Sequence, residues 1–281
     1  MMRNDPCDTW FASCDRFRDP AGALRMAEFV TALSRFPVGH LVDLGAGHGI
    51  FSRIAADLGW QVTAVDARDV RFPDDTRVRW VTADVRDFDE YDDVTVVACL
   101  GLWYHLTLAD QLALIAKIAP RPVILDTHIA REDLADHPVH RTKLSGFVSE
   151  GDYTGRLYSE SGKATQATAS WGNTQSFWPT PAGLERQLTQ VGYDLLERLL
   201  PAVAPDREYL VAQIMADDAR ARLDELVTRY NPLRPEGELA AAAAAAAAPA
   251  VGAPAAAPHA APAPSSAKRL VGALRRRTHR G

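Results

Sequence analysis

Apolar positions along this chain follow two alternating rhythms. Short apolar runs occur at Leu41–Leu44, Gln61–Val65, Val78–Thr82, Val94–Leu100 and Val123–Leu125, each followed within two residues by Gly or Asp. Runs of this length with such stops predict strands. Val94–Leu100 has almost no polar position, the mark of a strand covered on both faces. Between the strands the period becomes helical. Met26, Phe29, Val30 and Leu33 form one stripe; Ile50, Phe51, Ile54, Ala55 and Leu58 a second; Leu108, Leu112, Ile115 and Ala119 a third; Leu184, Leu188 and Val191 a fourth. Their ends are marked too. Asp19-Pro20 and Thr180-Pro181 each offer an N-cap followed by a first-turn proline, Thr107 begins the third helix, Gly59 and Gly192 sit as C-terminal caps, and Pro37 and Pro120 stop the chain continuing. Strands that alternate with helices predict an α/β fold with a parallel sheet. Tyr193–Leu200 and Glu208–Met215 then read as a closing antiparallel pair, and Arg220–Tyr230 as an amphipathic last helix.

The first crossover carries the chemistry. Gly45, Ala46, Gly47 and Gly49 form a turn between the first strand and its helix, and Asp66 and Ala67 close the second strand. Glycine suits a turn where a ligand lies against the backbone. The Gly45-to-Asp66 spacing puts a carboxylate at the tip of the neighbouring strand, where it can accept both ribose hydroxyls of an adenosine. A dinucleotide fingerprint reads GxGxxG, whereas this loop reads GxGxG and follows Asp43. An acid there repels a pyrophosphate but suits a cofactor carrying an ammonium and a sulfonium, which is S-adenosylmethionine. VDLGAGHG followed by VDA resembles the first two motifs of the class I S-adenosylmethionine-dependent methyltransferases. That resemblance implies a Rossmann-like, seven-stranded mixed sheet with helices on both faces. It also assigns cofactor contacts to Asp43, Gly45, Ala46, Gly47, Gly49, Asp66, Ala67 and Leu100. Asp84 would take the adenine amino group and Val85 would cover the ring, and the segment before the first strand would cover the cofactor mouth. A helix packed on the sheet is the plainer reading of that segment.

Ligands of open parallel sheets sit beyond the carboxyl ends of the strands. Gly101-Leu102-Trp103-Tyr104-His105 follows the fourth strand and Asp126-Thr127-His128 the fifth. His105 is a candidate general base for an acceptor hydroxyl, with Tyr104 orienting the acceptor; a helix-start histidine satisfied by backbone is the alternative. His128 is a second candidate base. Asp126 and His128 alone lack the third ligand at fixed spacing that a metal site needs, so no metal is expected. Residues 129–179 form a long insertion holding His137, His140, Tyr153, Arg156, Tyr158, Trp171, Asn173, Phe177 and Trp178. Long ordered insertions usually serve function, and aromatics beside Arg and Asn suit an acceptor lid.

Composition adjusts this picture. Residues 236–281 form an Ala/Pro-rich tail containing nine consecutive alanines, Ala240 to Ala248, so the folded methyltransferase-like domain is expected over 1–235 and the tail is expected to be disordered. The net charge is −5, and the last fourteen residues carry six Lys or Arg and no acid, leaving −5 − 6 = −11 on residues 1–267. An acidic body argues against a large phosphate-binding surface such as a nucleic-acid binder needs. The basic end could meet a membrane surface or a polyanion, or be a solvated tail. Cys7, Cys14 and Cys99 are odd in number and lack metal spacing, as in a reduced cytoplasmic protein, and no stretch reads as a transmembrane segment. GLWYHL, ILDTHIA and NTQSFWPTPAGLERQLTQVGY are similar to the branch related to bacterial tRNA wobble-uridine carboxymethyl transferases, over roughly residues 40–215. The function expected is methyl transfer to a small-molecule or saccharide hydroxyl. Transfer of a methyl or carboxymethyl group to tRNA, and a cofactor-binding partner protein without catalysis, are the alternatives.

Overall fold

The computed structural model describes residues 20–132, 143–161, 170–199 and 206–230, and the chain divides into two compact units, 1–221 and 222–281. Trp10, Phe11, Phe17, Cys7, Cys14, Asp19, His137, His140, the expected domain end at 235 and the tail at 236–281 lie outside the described residues.

In chain order the first unit begins with α1 (Pro20–Leu33), β1 (His40–Leu44), α2 (Ile50–Asp57), β2 (Gln61–Asp66), β3 (Val78–Thr82) and β4 (Val96–Leu100). It continues through α3 (Leu108–Ile118), β5 (Val123–His128), β6 (Leu144–Glu150), β7 (Tyr153–Ser159), β8 (Gln175–Pro179), α4 (Pro181–Thr189), β9 (Leu195–Arg198) and β10 (Arg207–Gln213). A last helix, α5, spans Asp217–Tyr230. Seven strands form one sheet in the order β3-β2-β1-β4-β5-β10-β9. β1 to β5 run parallel, and β10 is antiparallel to both β5 and β9. This is the Rossmann-like mixed sheet expected of a class I methyltransferase fold.

Strand alternation divides the core. Leu41, Val96, Ala98, Ile124 and Val211 face α1 and α2, meeting Phe29, Leu33, Phe51 and Ala55. Val42, Val97, Cys99, Val123, Leu125 and Leu210 face α3 and α4, meeting Leu114, Ile115, Leu184 and Leu188. The helix α1 therefore packs on the sheet, with Phe29 edge-on to Phe51 at 5.2 Å. Thr107 caps α3 by accepting from the Asp110 amide, and Thr180 caps α4 by accepting from that of Gly183, as their sequence positions predict.

Two regions differ from the sequence expectation. β5 runs through Asp126, Thr127 and His128 instead of ending at Leu125, because β10 continues to pair with it: Tyr209 lies opposite Asp126 and Arg207 opposite His128. The insertion is built as a second sheet, antiparallel in the order β6-β7-β8. Its outer strand alternates weakly, with Gly146, Ser145 and Ser149 diluting the apolar pattern, so its period was hard to read.

Candidate active site

The glycine turn sits at the carboxyl end of β1. Gly45, Gly47 and Gly49 all have positive φ, at 71°, 57° and 66°. Their reasons differ. A Cβ on Gly49 would lie 2.2 Å from the Trp80 ring, and one on Gly45 would lie 2.9 Å from Leu102 Cβ, so protein packing already demands those two. A Cβ on Gly47 would meet nothing nearer than 3.9 Å. Gly47 is thus the point of the loop whose backbone stands open to a ligand. Asp66, 6% exposed, accepts from the Gly47 amide at 3.0 Å through Oδ2 and from the Arg68 amide at 2.8 Å through Oδ1. Each oxygen keeps a further lone pair for a hydroxyl donor.

The other expected cofactor residues fall around this loop in distinct settings. Asp43 is only 2% exposed and accepts from Ser52 Oγ at 2.6 Å, so its carboxylate ties β1 to the first turn of α2. Burial pushes its pKa up to about 6 against the lowering effect of Ser52. Ala46 packs at the edge of the α1–α2 core, Ala67 is half-buried, and Leu100 is buried at the end of β4. Asp84 follows β3 as expected, but it accepts from the Arg86 amide and guanidinium at 3.0 and 2.9 Å. Val85 is buried in the core with Phe88. The loop at 170–173 reaches over this side: Arg68 stacks on Trp171 at 5.0 Å, and Arg86 bonds the Trp171 carbonyl and Asn173.

Beyond β4, Trp103–His105 form a short 3-10 turn. A buried polar relay fixes it. Trp103 Nε1 donates to Gln187 Oε1, Gln187 Nε2 donates to Gln111 Oε1, and Gln111 Nε2 donates to the carbonyls of Trp103 and Phe177. The turn presents His105 with its Nδ1 2.7 Å from Glu160 Oε1, just past β7. Glu160 also accepts from Ser176 Oγ at 3.0 Å. A carboxylate only accepts, so the Nδ1 proton points to Glu160, and in the neutral ring Nε2 keeps its lone pair. The His105 ring is thus held by a side-chain carboxylate and not by backbone.

Tyr104 lies between the two candidate histidines, its ring centroid 4.4 Å from that of His105 and 4.5 Å from that of His128. The two strand ends therefore do meet in one place. His128 differs in character from His105. Its Nδ1 donates to Asp206 at 2.7 Å, and its Nε2 accepts from Arg207 Nη1 at 2.9 Å. Burial, opposed by Asp206 and helped by Arg207, lowers its pKa. With both nitrogens engaged, His128 has no lone pair left for an acceptor. Its ring stacks on Trp178 at 4.6 Å, and Trp178 stacks on Tyr158 at 5.0 Å. Trp178, 1% exposed and donating Nε1 to the Tyr104 carbonyl, anchors the small sheet to the body and offers no open face. Among the described residues no group of three His, Cys, Asp or Glu could hold a metal ion, and Asp126 is taken by two arginines.

Glu160, Arg25 and Arg207 are the site residues that sequence reasoning did not single out. Arg25 carried one usable signal: it sits with Phe29 and Ala32 on the buried stripe of α1, where a charge needs a partner.

Sheet order, glycine loop and acidic strand tip together define the class I S-adenosylmethionine-dependent methyltransferase fold. Among solved structures the chain is similar to the N-terminal domain of EvdMO1 with S-adenosylhomocysteine bound, at 21% identity and a TM-score of 0.53, covering 70% of this chain and 82% of that one. It is similar also to the same domain crystallised in the presence of S-adenosylhomocysteine and D-fucose, at 19% identity and a TM-score of 0.54, covering 70% and 84%. No protein-family model matches the chain, and neither does any curated protein. No helix among the described residues is long and apolar enough to cross a membrane.

Proposed function

We propose that the protein is an S-adenosylmethionine-dependent methyltransferase that methylates a hydroxyl of a small molecule or saccharide. The observation that carries the hydroxyl reading is the His105–Glu160 pair, with Nε2 of His105 unbonded beside the turn that follows β4. The open Gly47 backbone and the Asp66 carboxylate fit the adenosine end of the cofactor. Bound there, S-adenosylmethionine supplies an electrophilic methyl group. The chain's own residues hold the acceptor in line, exclude water and take its proton. Positioning contributes several kcal/mol, and a base adds on the order of 10²–10⁴ in rate for a hydroxyl. His105 Nε2 receives the proton, Glu160 keeps the imidazole in the correct tautomer, and Tyr104 borders the acceptor. The sheet β6-β7-β8 closes the acceptor side through Glu160, Asn173 and Trp178.

Calorimetry with S-adenosylhomocysteine and with NAD tests the cofactor; tight NAD binding with no response to S-adenosylhomocysteine overturns the reading. Asp66→Ala should weaken S-adenosylhomocysteine binding by roughly 1.5–3 kcal/mol, the scale of a lost charged hydrogen bond. An unchanged affinity in the folded variant would remove Asp66 from the ribose. Incubation with small-molecule extracts and the cofactor, read as a mass gain of one methyl group, tests the acceptor class. Glu160→Gln removes the negative charge that stabilises the imidazolium formed on proton uptake, so turnover should fall on the order of 10²-fold with cofactor affinity held. Equal turnover, or loss of cofactor binding with it, would deny Glu160 that positioning role.

A further inference from the structure

Gly101 ends β4 with φ at 93°, and the space beside its Cα is ringed by donors. A Cβ built there would lie 3.4 Å from Arg25 Nη2, 3.8 Å from Tyr104 Oη and 4.0 Å from Arg207 Nη2. Those three nearest atoms come from α1, the turn after β4 and β10. Both guanidiniums lean on one carboxylate. Arg25 Nε and Nη2 reach Asp126 Oδ2 at 2.7 and 2.5 Å, while Arg207 Nε and Nη2 reach Oδ1 and Oδ2 at 2.9 and 2.8 Å. Arg25 Nη2 spends one hydrogen on Asp126 and keeps the other, while Arg207 also bonds the Tyr104 hydroxyl, which retains its own hydrogen to donate. Two cations share the Asp126 carboxylate, and Asp206 bonds His128. Glu28, one turn along α1 from Arg25, is 5% exposed with neither oxygen partnered, and Tyr209 Oη, opposite Asp126, is buried and unpartnered too. Burial, with Asp126 adding to it, raises Glu28 to about 7, so it neutralises the arginines only in part near neutral pH.

A planar, twice-accepting anion answers this set of donors. We propose that Arg25, Tyr104 and Arg207 form a carboxylate-binding site beside Gly101. Resting on the methyltransferase reading, the carboxylate has two sources: an acidic acceptor held next to His105, or the amino-acid end of the cofactor.

Titration calorimetry on wild type, Arg25→Met and Tyr104→Phe separates them. The ligands are S-adenosylhomocysteine, its decarboxylated analogue, benzoate and benzamide, the last two on both free and S-adenosylhomocysteine-loaded protein. If the cofactor supplies the group, Arg25→Met should weaken S-adenosylhomocysteine roughly 10- to 100-fold and Tyr104→Phe several-fold, with the decarboxylated analogue binding all three proteins alike. If the acceptor supplies it, S-adenosylhomocysteine should bind all three alike, while benzoate binds wild type, benzamide does not, and both variants lose benzoate. Tyr104→Phe removes one hydroxyl only, so it reports even if Arg25→Met fails to fold. Variants that treat each carboxylate ligand and its uncharged counterpart identically overturn the site. Absence of S-adenosylhomocysteine binding by wild type would instead strike the methyltransferase reading, and benzoate on the free protein would still decide the carboxylate site.

Discussion

His105→Ala is expected to lower methyl transfer by on the order of 10²–10⁴ while leaving S-adenosylhomocysteine affinity within about twofold. The reason lies in what each group touches. His105 stands after β4 and is held by Glu160 from the insertion, whereas the glycine turn and Asp66 belong to β1 and β2. Removing the imidazole leaves Glu160 with Ser176 Oγ at 3.0 Å, so the carboxylate is not orphaned and the fold should survive. The loss should shrink as pH rises, because an acceptor hydroxyl that ionises unaided no longer needs a base. A full rate profile against pH for both proteins makes the measurement. Superimposable profiles would leave proximity alone as the account, since His128 has no free nitrogen to substitute.

Asp126→Ala is expected to cost about 3–5 kcal/mol of stability, among the largest effects of any single substitution in the first unit. Asp126 is 0% exposed and holds Arg25 from α1 and Arg207 from β10. Without it two guanidiniums remain in a largely enclosed place with no carboxylate between them. For a domain of this size the melting temperature should fall by roughly 6–20 °C. Burial alone would raise the Asp126 pKa, but Arg207 and Arg25 outweigh it and hold the carboxyl below the ordinary range. A depressed carboxylate contributes its stability above the unfolded-state pKa of about 3.9 and loses it as pH falls through the lower folded value. Wild type should therefore lose stability more steeply than Asp126→Asn below about pH 4. Thermal melts across that range read it directly; parallel curves would mean that the ion pairs contribute nothing net.

The elements that sequence reasoning located share a property: their signal is local. The β1–α2–β2 crossover is written within 27 consecutive residues, Leu41 to Ala67, by glycine spacing and helical period. Strand ends beyond the loop were legible for the same reason, because Gly101 and Asp126 interrupt apolar runs. What stayed hidden was long-range pairing between charged groups. Glu160 meets His105 across 55 positions, and Arg25 meets Asp126 across 101. Arg25 at least lies on the buried stripe of α1, whereas nothing local marks Glu160, which looks like an ordinary surface charge until the fold sets the insertion beside the turn. Asp43 shows the converse. Its position before the loop suggested a contact to ligand, and the fold adds a bond from a neighbour nine residues on, Ser52, inside the crossover. Val85 follows the expected motif and packs in the core with Phe88.

The strand β8 is stitched to the turn that carries His105. The Phe177 amide donates to the Leu106 carbonyl at 2.9 Å, Gln111 bonds the Phe177 carbonyl at 2.7 Å, and the Ala130 amide donates to the Pro179 carbonyl at 2.8 Å. A flap that swings must break its seams on every cycle, and these seams are buried, each worth about 0.5–1.5 kcal/mol net. Such a sheet behaves as masonry instead of a door, and the amides of Phe177 and Ala130 are expected to exchange hydrogen as slowly as those of the central strands. On the proposed reading, the wall that β8 gives the acceptor side is then set when the chain folds.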